Sequence, residues 1–316
     1  MDFLAFLHRR PSRPGSLVLA LGGGGARGLA HIGVLSVLEE HDIGVAGIAG
    51  SSAGAVVGAM WLVLGSAGAV HRRWQEFLAA GFPRSLPDVP LTGSVTTRDN
   101  LLLQFARRLK RQAIVALALE RRSFLEHADL EEAIAFLVPD RRAEEFKTPF
   151  AAVCTDFATG EPVALRRGPL RQVLAASSAI PAVVPPFTVD GRALLDGGTV
   201  ADVPVMQARS LGGRPVLAVD VGEDLPADDA SSLTLPRALL RSSAMTHRAL
   251  RGLAVGAADL SIHPEVGRVH WSEFGRLEEL VAAGRACAEA HATALRDLAQ
   301  RQIRHRGPTL DAAAAP

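Results

Sequence analysis

Residues 16–64 constrain this chain more than any other stretch, because two short apolar segments there each end at a glycine-bounded turn and each lead into a helical pattern. Residues 16–21, set between Pro14-Gly15 and a run of glycines, read as a buried strand. Over 29–41, Leu29, Ile32, Val34, Leu35 and Leu38 recur at helical intervals, and Gly44 lies just beyond. Residues 43–49 form the next strand, and 55–64 read as helix again. Strand, helix, strand in this order closes by a right-handed crossover, so the two strands run parallel. That commits the chain to an α/β fold with a central, mostly parallel sheet.

The turn after the second strand is Gly50-Ser51-Ser52-Ala53-Gly54. A G-x-S-x-G sequence between a strand and a helix is what a nucleophile elbow requires, since the chain reverses sharply and glycine must sit beside the serine. The frame makes Ser52 the candidate nucleophile and leaves Ser51 at the variable position. Alone, the pentapeptide is equally an ordinary helix-entry turn. Two further stretches, residues 22–28 and Asp196-Gly197-Gly198, bear on the choice.

Gly22-Gly23-Gly24-Gly25-Ala26-Arg27-Gly28 follows a strand and opens a helix. Gly23, Gly25 and Gly28 also satisfy the G-x-G-x-x-G dinucleotide fingerprint, which expects a carboxylate at the end of the second strand. That strand ends in Ile48-Ala49-Gly50 and runs into the serine turn, which disfavours a nucleotide cofactor. The competing use of consecutive glycines is to aim several backbone N–H groups into one small volume at a helix N-terminus. With Ser52 ending the neighbouring strand, both turns lie at the C-terminal edge of the sheet. Gly23, Gly24 and Gly25, with Ala53 behind the serine, are then the expected oxyanion donors. Arg27 is expected to brace the loop by hydrogen bonds.

A serine hydroxyl needs a group to take its proton. His247, His263, His270 and His291 lack any glycine or turn context that would present them at a site, and read as surface or packing residues. His31, one turn past the glycine loop, reads as a packing or supporting group. Asp196 is different: it ends the apolar strand 193–195 and precedes two glycines, so its carboxylate stands at a strand terminus open to close approach. A carboxylate within reach of Ser52 can serve as its base without a histidine.

The remaining chain supplies the surrounding elements. Residues 69–80 read as a second helix after the break at Gly65-Ser66-Ala67-Gly68, and 81–93 as a loop. Residues 101–122 read as a long helix whose Arg107, Arg108, Lys110 and Arg111 form either a solvated face or a contact for anionic headgroups. Residues 129–137 are helical, 149–155 with 162–165 form a hairpin, 170–178 are helical, and 187–195 form a hairpin around Asp190-Gly191. Residues 216–221 are a strand, and 235–255 and 275–304 are helical. The expected organisation is an extension at 1–15, one domain at 16–304 and a low-complexity tail at 305–316.

A net charge of +1 argues against a nucleic-acid protein, which would mass basic residues on one element. Cys154 and Cys287 are far apart and outside any C-x-x-C pattern, as in a reducing compartment. Residues 1–10 place their charge after the apolar cluster, unlike a signal peptide, and no apolar run reaches membrane length. The expected location is cytoplasmic, at most peripheral at the inner face of the membrane.

Taken together, these motifs resemble the patatin-like phospholipase family. Its G-G-G-x-[RK]-G is matched by residues 23–28, its G-x-S-x-G by 50–54 and its D-G-[GA] by 196–198. Ala175-Ala176-Ser177-Ser178-Ala179-Ile180-Pro181 resembles the family's A-S-x-A-x-P block, and Thr155-Asp156 with Thr159-Gly160-Glu161 its strand-turn pattern. The resemblance implies a three-layer α/β/α fold and a Ser52–Asp196 dyad with a glycine-loop oxyanion hole, needing neither metal nor cofactor. It also implies phospholipid or lysophospholipid ester substrates, or in a catalytically silent member lipid binding alone. Two positions depart: Ala182 stands where a glycine is usual, and Asp202 where asparagine is often found. These bear on the shape of the substrate channel more than on the dyad.

Overall fold

The structure, a computed structural model, describes residues 15–82, 125–225 and 234–300. The helix expected over 101–122, the N-terminal apolar cluster and the low-complexity tail lie outside the described residues. One eight-stranded sheet runs through the molecule: β1 (Ser16–Leu21), β2 (Gly44–Ser51), β3 (Phe150–Asp156), β4 (Pro162–Leu165), β5 (Phe187–Val189), β6 (Arg192–Asp196), β7 (Val216–Val219) and β8 (Leu260–Ile262). Its order is β5-β6-β3-β2-β1-β7-β8, with β4 also on β3. The run β3-β2-β1-β7-β8 is parallel throughout, and the β3, β4, β5 and β6 pairings beyond it are antiparallel.

The helices are α1 (Ala30–Glu40), α2 (Ala53–Leu64), α3 (Ala67–Ala79), α4 (His127–Leu137), α5 (Leu170–Ser177), α6 (Val205–Arg209), α7 (Leu235–Gly256), α8 (Leu277–Ala290) and α9 (Ala292–Gln300). They cover both faces of the sheet, and the alternation of β1 shows how. Leu17, Leu19 and Leu21 join the core under α1, α2, α8 and α9, while Val18 and Ala20 join the core under α6 and the end of α7. A strand buried on both faces reads in sequence as an unbroken apolar run.

Several expectations shift at their edges. The strand expected at 216–221 stops at Val219. Residues 275–304, read as one helix, break at His291, whose Nδ1 lies 2.8 Å from the Cys287 carbonyl oxygen. The short strand β8 carries too little pattern in three residues to be read, and it is fixed by parallel pairing with β7. Asp190-Gly191 does form the β5–β6 turn, both residues at positive φ (50° and 77°), as a two-residue type I′ hairpin requires.

The feature that builds a site is the edge of β3. Ala152 and Val153 pair with both β2 and β4, and Cys154 and Thr155 with both β4 and β6. A strand has two edges, so β2 and β6 share one, meeting end to end there. Ser51 pairs with Val153 and Asp196 with Cys154, the next residue along. The parallel β2 and the antiparallel β6 therefore deliver their C-terminal ends to one point.

Candidate active site

At that point the chain leaves β2 through Ser52, which holds φ 51° and ψ −124° before α2 begins at Ala53. A non-glycine residue in this conformation costs on the order of 1–3 kcal/mol and persists only where its surroundings hold it. The Ser52 N–H donates to Ser177 Oγ at 3.1 Å, and the Ser52 carbonyl accepts from Ala55 and Val56 at 2.9 and 3.1 Å. Ser177 Oγ in turn donates to the Val153 carbonyl at 2.6 Å. Ser51 points the other way and ties the strand end to the Ala201 carbonyl at 2.5 Å. The glycines sit beside the serine as expected, while the positive φ belongs to the serine itself. They supply room: a Cβ on Gly50 would lie 2.4 Å from Ala55 N, and one on Gly54 2.2 Å from the Leu21 carbonyl oxygen.

Asp196 ends β6 with its backbone clamped on both sides, its N–H donating to Ala179 O at 2.9 Å and its carbonyl accepting from Thr155 Oγ1 at 3.0 Å. Its carboxylate accepts from Gly198 N–H at 2.7 Å, and the Ser52 hydroxyl lies near enough to favour its charged form. Burial pushes this carboxyl up to about 6, against the pull of the Ser52 and Gly198 hydrogen bonds; the nearby Asp202 adds to the rise and His247 subtracts from it. Residues 175–181 thus hold both members of the pair, Ser177 gripping the backbone of Ser52 and Ala179 that of Asp196. Ala182, the position where glycine is usual, sits at φ 68°, which explains why glycine suits it.

The glycine loop faces the same cleft, with one correction to its expected donors. Gly23 N–H is already spent on the Asp202 carbonyl at 3.0 Å, because β1 ends beside the 197–203 segment. Gly24 and Gly25, at φ 148° and 57°, have N–H groups that meet no acceptor among the described residues, and Ala53 N–H heads α2 where no intrahelical acceptor exists. Two contacts fix the loop from behind. Ala26 N–H donates to Trp271 O at 2.7 Å, and the buried His31 holds Gly22 O through Nε2 at 2.8 Å. Burial lowers His31 to about 4, so near neutral pH it is an uncharged donor. Arg27 braces through its surroundings rather than the loop amides, with Nη1 3.0 Å from Glu223 Oε2.

Three neighbours were not legible as site residues. His247, expected on the surface, projects from α7 to place Nε2 2.7 Å from Gly198 O and 3.7 Å from Asp202 Oδ2. Asp202 is buried there and pushed up to about 6, chiefly by desolvation. Arg251, also from α7, is buried against Asp220 at 3.4 Å. The other expected surface histidines stay off the Ser52–Asp196 pair; His263 faces Asp220 and His270 bonds Ser272. The cleft that these groups enclose has a volume of about 410 Å³ and is walled by Ile180, Pro181 and Trp271 as well as by α7. No three His, Cys, Asp or Glu side chains among the described residues converge as ligands for a metal.

Residues 19–209 match the family model described as patatin-like phospholipase. An NTE family protein of Mycobacterium tuberculosis is 34% identical over 231 residues, which is 72% of this chain and 55% of that one. Human patatin-like phospholipase domain-containing protein 6 is 29% identical over 215 residues, 67% of this chain and 14% of that protein. The chain therefore spans about half the length of the mycobacterial relative and a small part of the human one. Among solved structures, VipD from Legionella pneumophila is 16% identical, with a TM-score of 0.42, over 89% of this chain and 66% of that one.

Proposed function

Because this chain belongs to the patatin-like phospholipase family, we propose that it is a serine acyl hydrolase cleaving carboxylic ester bonds of phospholipids or lysophospholipids, with Ser52 as nucleophile and Asp196 as base. The observation that carries this reading is the juxtaposition of a strained Ser52 elbow and the buried Asp196 carboxylate in the lining of one partly apolar cleft. A surface serine has no reason to hold such a conformation.

In the proposed reaction Ser52 Oγ attacks the ester carbonyl carbon as its proton passes to Asp196. The carbonyl oxygen becomes an oxyanion held by the N–H groups of Gly24, Gly25 and Ala53. Collapse of the intermediate breaks the C–O bond, and Asp196 returns the proton to the departing alcohol. Water then repeats the sequence on the acyl-enzyme, with Asp196 again as base, and releases the fatty acid. Each oxyanion donor lowers the barrier by about 3 kcal/mol in sites of this type. The base works as the carboxylate, so activity should rise with pH through about 6. His247 belongs to the support of this arrangement, since its ring holds Gly198 O beside the Asp196–Gly198 turn.

Intact-mass analysis after fluorophosphonate treatment tests the assignment. One adduct is expected on the wild type, none on Ser52→Ala, and slowed labelling on Asp196→Asn, with all three proteins folded. Adduct formation that survived Ser52→Ala would remove Ser52 from the role. A folded, lipid-binding wild type that neither labels nor hydrolyses esters in detergent would instead be a silent member of the family.

A further inference from the structure

Helix α7 wears its polarity inside out. Leu235, Leu239, Leu240, Met245, Leu250 and Leu253 are between 42% and 75% exposed, and they include six of the eight large apolar side chains left open to solvent among the described residues. At about 100° per residue, Leu235, Leu239, Leu250 and Leu253 fall within about 60° of one another around the helix axis. Ala244, Arg248 and Arg251, on the opposite side, line the cleft that holds Ser52. An ordinary surface helix turns its apolar stripe to the core. Here the core side carries buried Arg251 and half-buried Arg237 and Arg241, and the leucines face outward.

An outward apolar stripe of this length marks an interaction surface. Its chemistry points to one kind of occupant. The 22 residues contain no aspartate or glutamate, and of their four arginines Arg251 is paired with Asp220 inside the protein while Arg248 stands exposed beside the cleft, so the helix is basic as well as apolar. Basic amphipathic helices of this composition lie in the plane of an anionic lipid surface, with leucines among the acyl chains and long arginine arms reaching headgroup phosphates. The 22 residues of α7 extend over about 33 Å. The same helix forms a wall of the cleft, so a bilayer seated on the leucines brings the cleft mouth to the membrane surface.

We propose that α7 is the surface by which this protein docks on an anionic phospholipid bilayer, its outer face inserting while its inner face borders the acyl hydrolase cleft. The choice of a bilayer over a protein partner rests on the hydrolase reading above, since the substrate class resides in bilayers.

Vesicle flotation with the full chain tests this, using phosphatidylcholine vesicles with and without phosphatidylglycerol, and the triple variant Leu239→Ser, Leu250→Ser, Leu253→Ser. None of the three side chains lines the cleft. The wild type is expected to float with the phosphatidylglycerol vesicles and weakly with phosphatidylcholine alone. The variant should lose about tenfold or more of that binding, the scale set by three leucines no longer buried in acyl chains. Its melting temperature and its hydrolysis of a water-soluble short-chain ester should be unchanged, while its hydrolysis of lipid in vesicles falls with its binding. Equal flotation of variant and wild type would overturn the proposal, as would a wild-type dimer that the variant dissociates and that does not float. A fall of about 5 °C or more in melting temperature would also overturn it, because the leucines would then pack against the protein itself. Leucine-dependent flotation by a protein inert towards every ester would keep the docking surface and sink the hydrolase reading instead.

Discussion

Asp196→Asn should make the protein more stable and nearly inactive, and the size of the gain follows from the site. The carboxyl is fully desolvated and pushed from its ordinary 3.8 up to about 6. A raised carboxyl holds its proton more tightly folded than unfolded, so ionising it costs stability as pH rises from 3.8 through 6 and costs no more above that. That rise of the carboxyl corresponds to about 3 kcal/mol at pH 7.5 and about 1 kcal/mol at pH 4.5. Asparagine mimics the neutral form, since its amide oxygen can accept from Gly198 N–H and its NH₂ can donate to Ser52 Oγ. Urea unfolding of wild type and Asp196→Asn at pH 4.5, 5.5, 6.5 and 7.5 measures the difference. Only the difference isolates this group, because neutral His31, lowered from 6.5 to about 4, weakens both proteins as pH falls over an overlapping range. A variant no more stable than wild type at pH 7.5, or a gap that does not shrink towards pH 4.5, would refute the claim that the site stores the cost of a buried charge.

Ser177→Ala leaves the buried Ser52 N–H without its acceptor and should cost about 2 kcal/mol in chemical unfolding, with kcat falling while KM is little changed. Gly54→Ala forces a Cβ to within 2.2 Å of the Leu21 carbonyl oxygen, so β1 and α2 must part and stability should drop by about 3 kcal/mol, read by thermal melting. Ala182→Gly relieves an exposed alanine at φ 68° and should stabilise by about 0.5 kcal/mol without altering activity. Asp202→Asn removes a charge that raises Asp196, so the acid limb of the kcat/KM profile should move to lower pH.

What the sequence disclosed and what it hid divide along a physical line. The strands and turns of residues 16–54 and the hairpin at 187–196 are local: an apolar run, a glycine, a helical period and a D-G turn each act on their own neighbourhood, and the structure bears them out. His247 could not be read, because nothing around it on α7 tells that the helix crosses the 196–202 turn. Gly23 looked like its neighbours in the loop, and only the arrival of Asp202 from far along the chain occupies its N–H. Ser177 lay inside a block recognised as a resemblance, but its task, holding the backbone of Ser52, depends on Val153, whose carbonyl accepts the Ser177 hydroxyl. Donors and acceptors distant in sequence carry no local signal of their partnership.

The Ser52–Asp196 arrangement depends on how two strands register against a third. Because β2 and β6 meet on one edge of β3, the two residues are brought together by strand register. A slip of β6 by one residue would set Leu195 opposite Cys154 and turn the Asp196 side chain to the other face of the sheet. Three features oppose that slip. The two-residue turn at Asp190-Gly191 fixes the length of the β5–β6 hairpin. The Asp196 backbone is tied on both sides, its carbonyl accepting from Thr155 Oγ1 and its N–H donating to Ala179 O, and both bonds must break before β6 can move. Gly197 then passes so close to β3 that a Cβ there would lie 2.1 Å from the Val153 carbonyl oxygen. The D-G-G sequence therefore has two roles: the aspartate faces the serine, and the first glycine lets the chain turn against the strand that holds both.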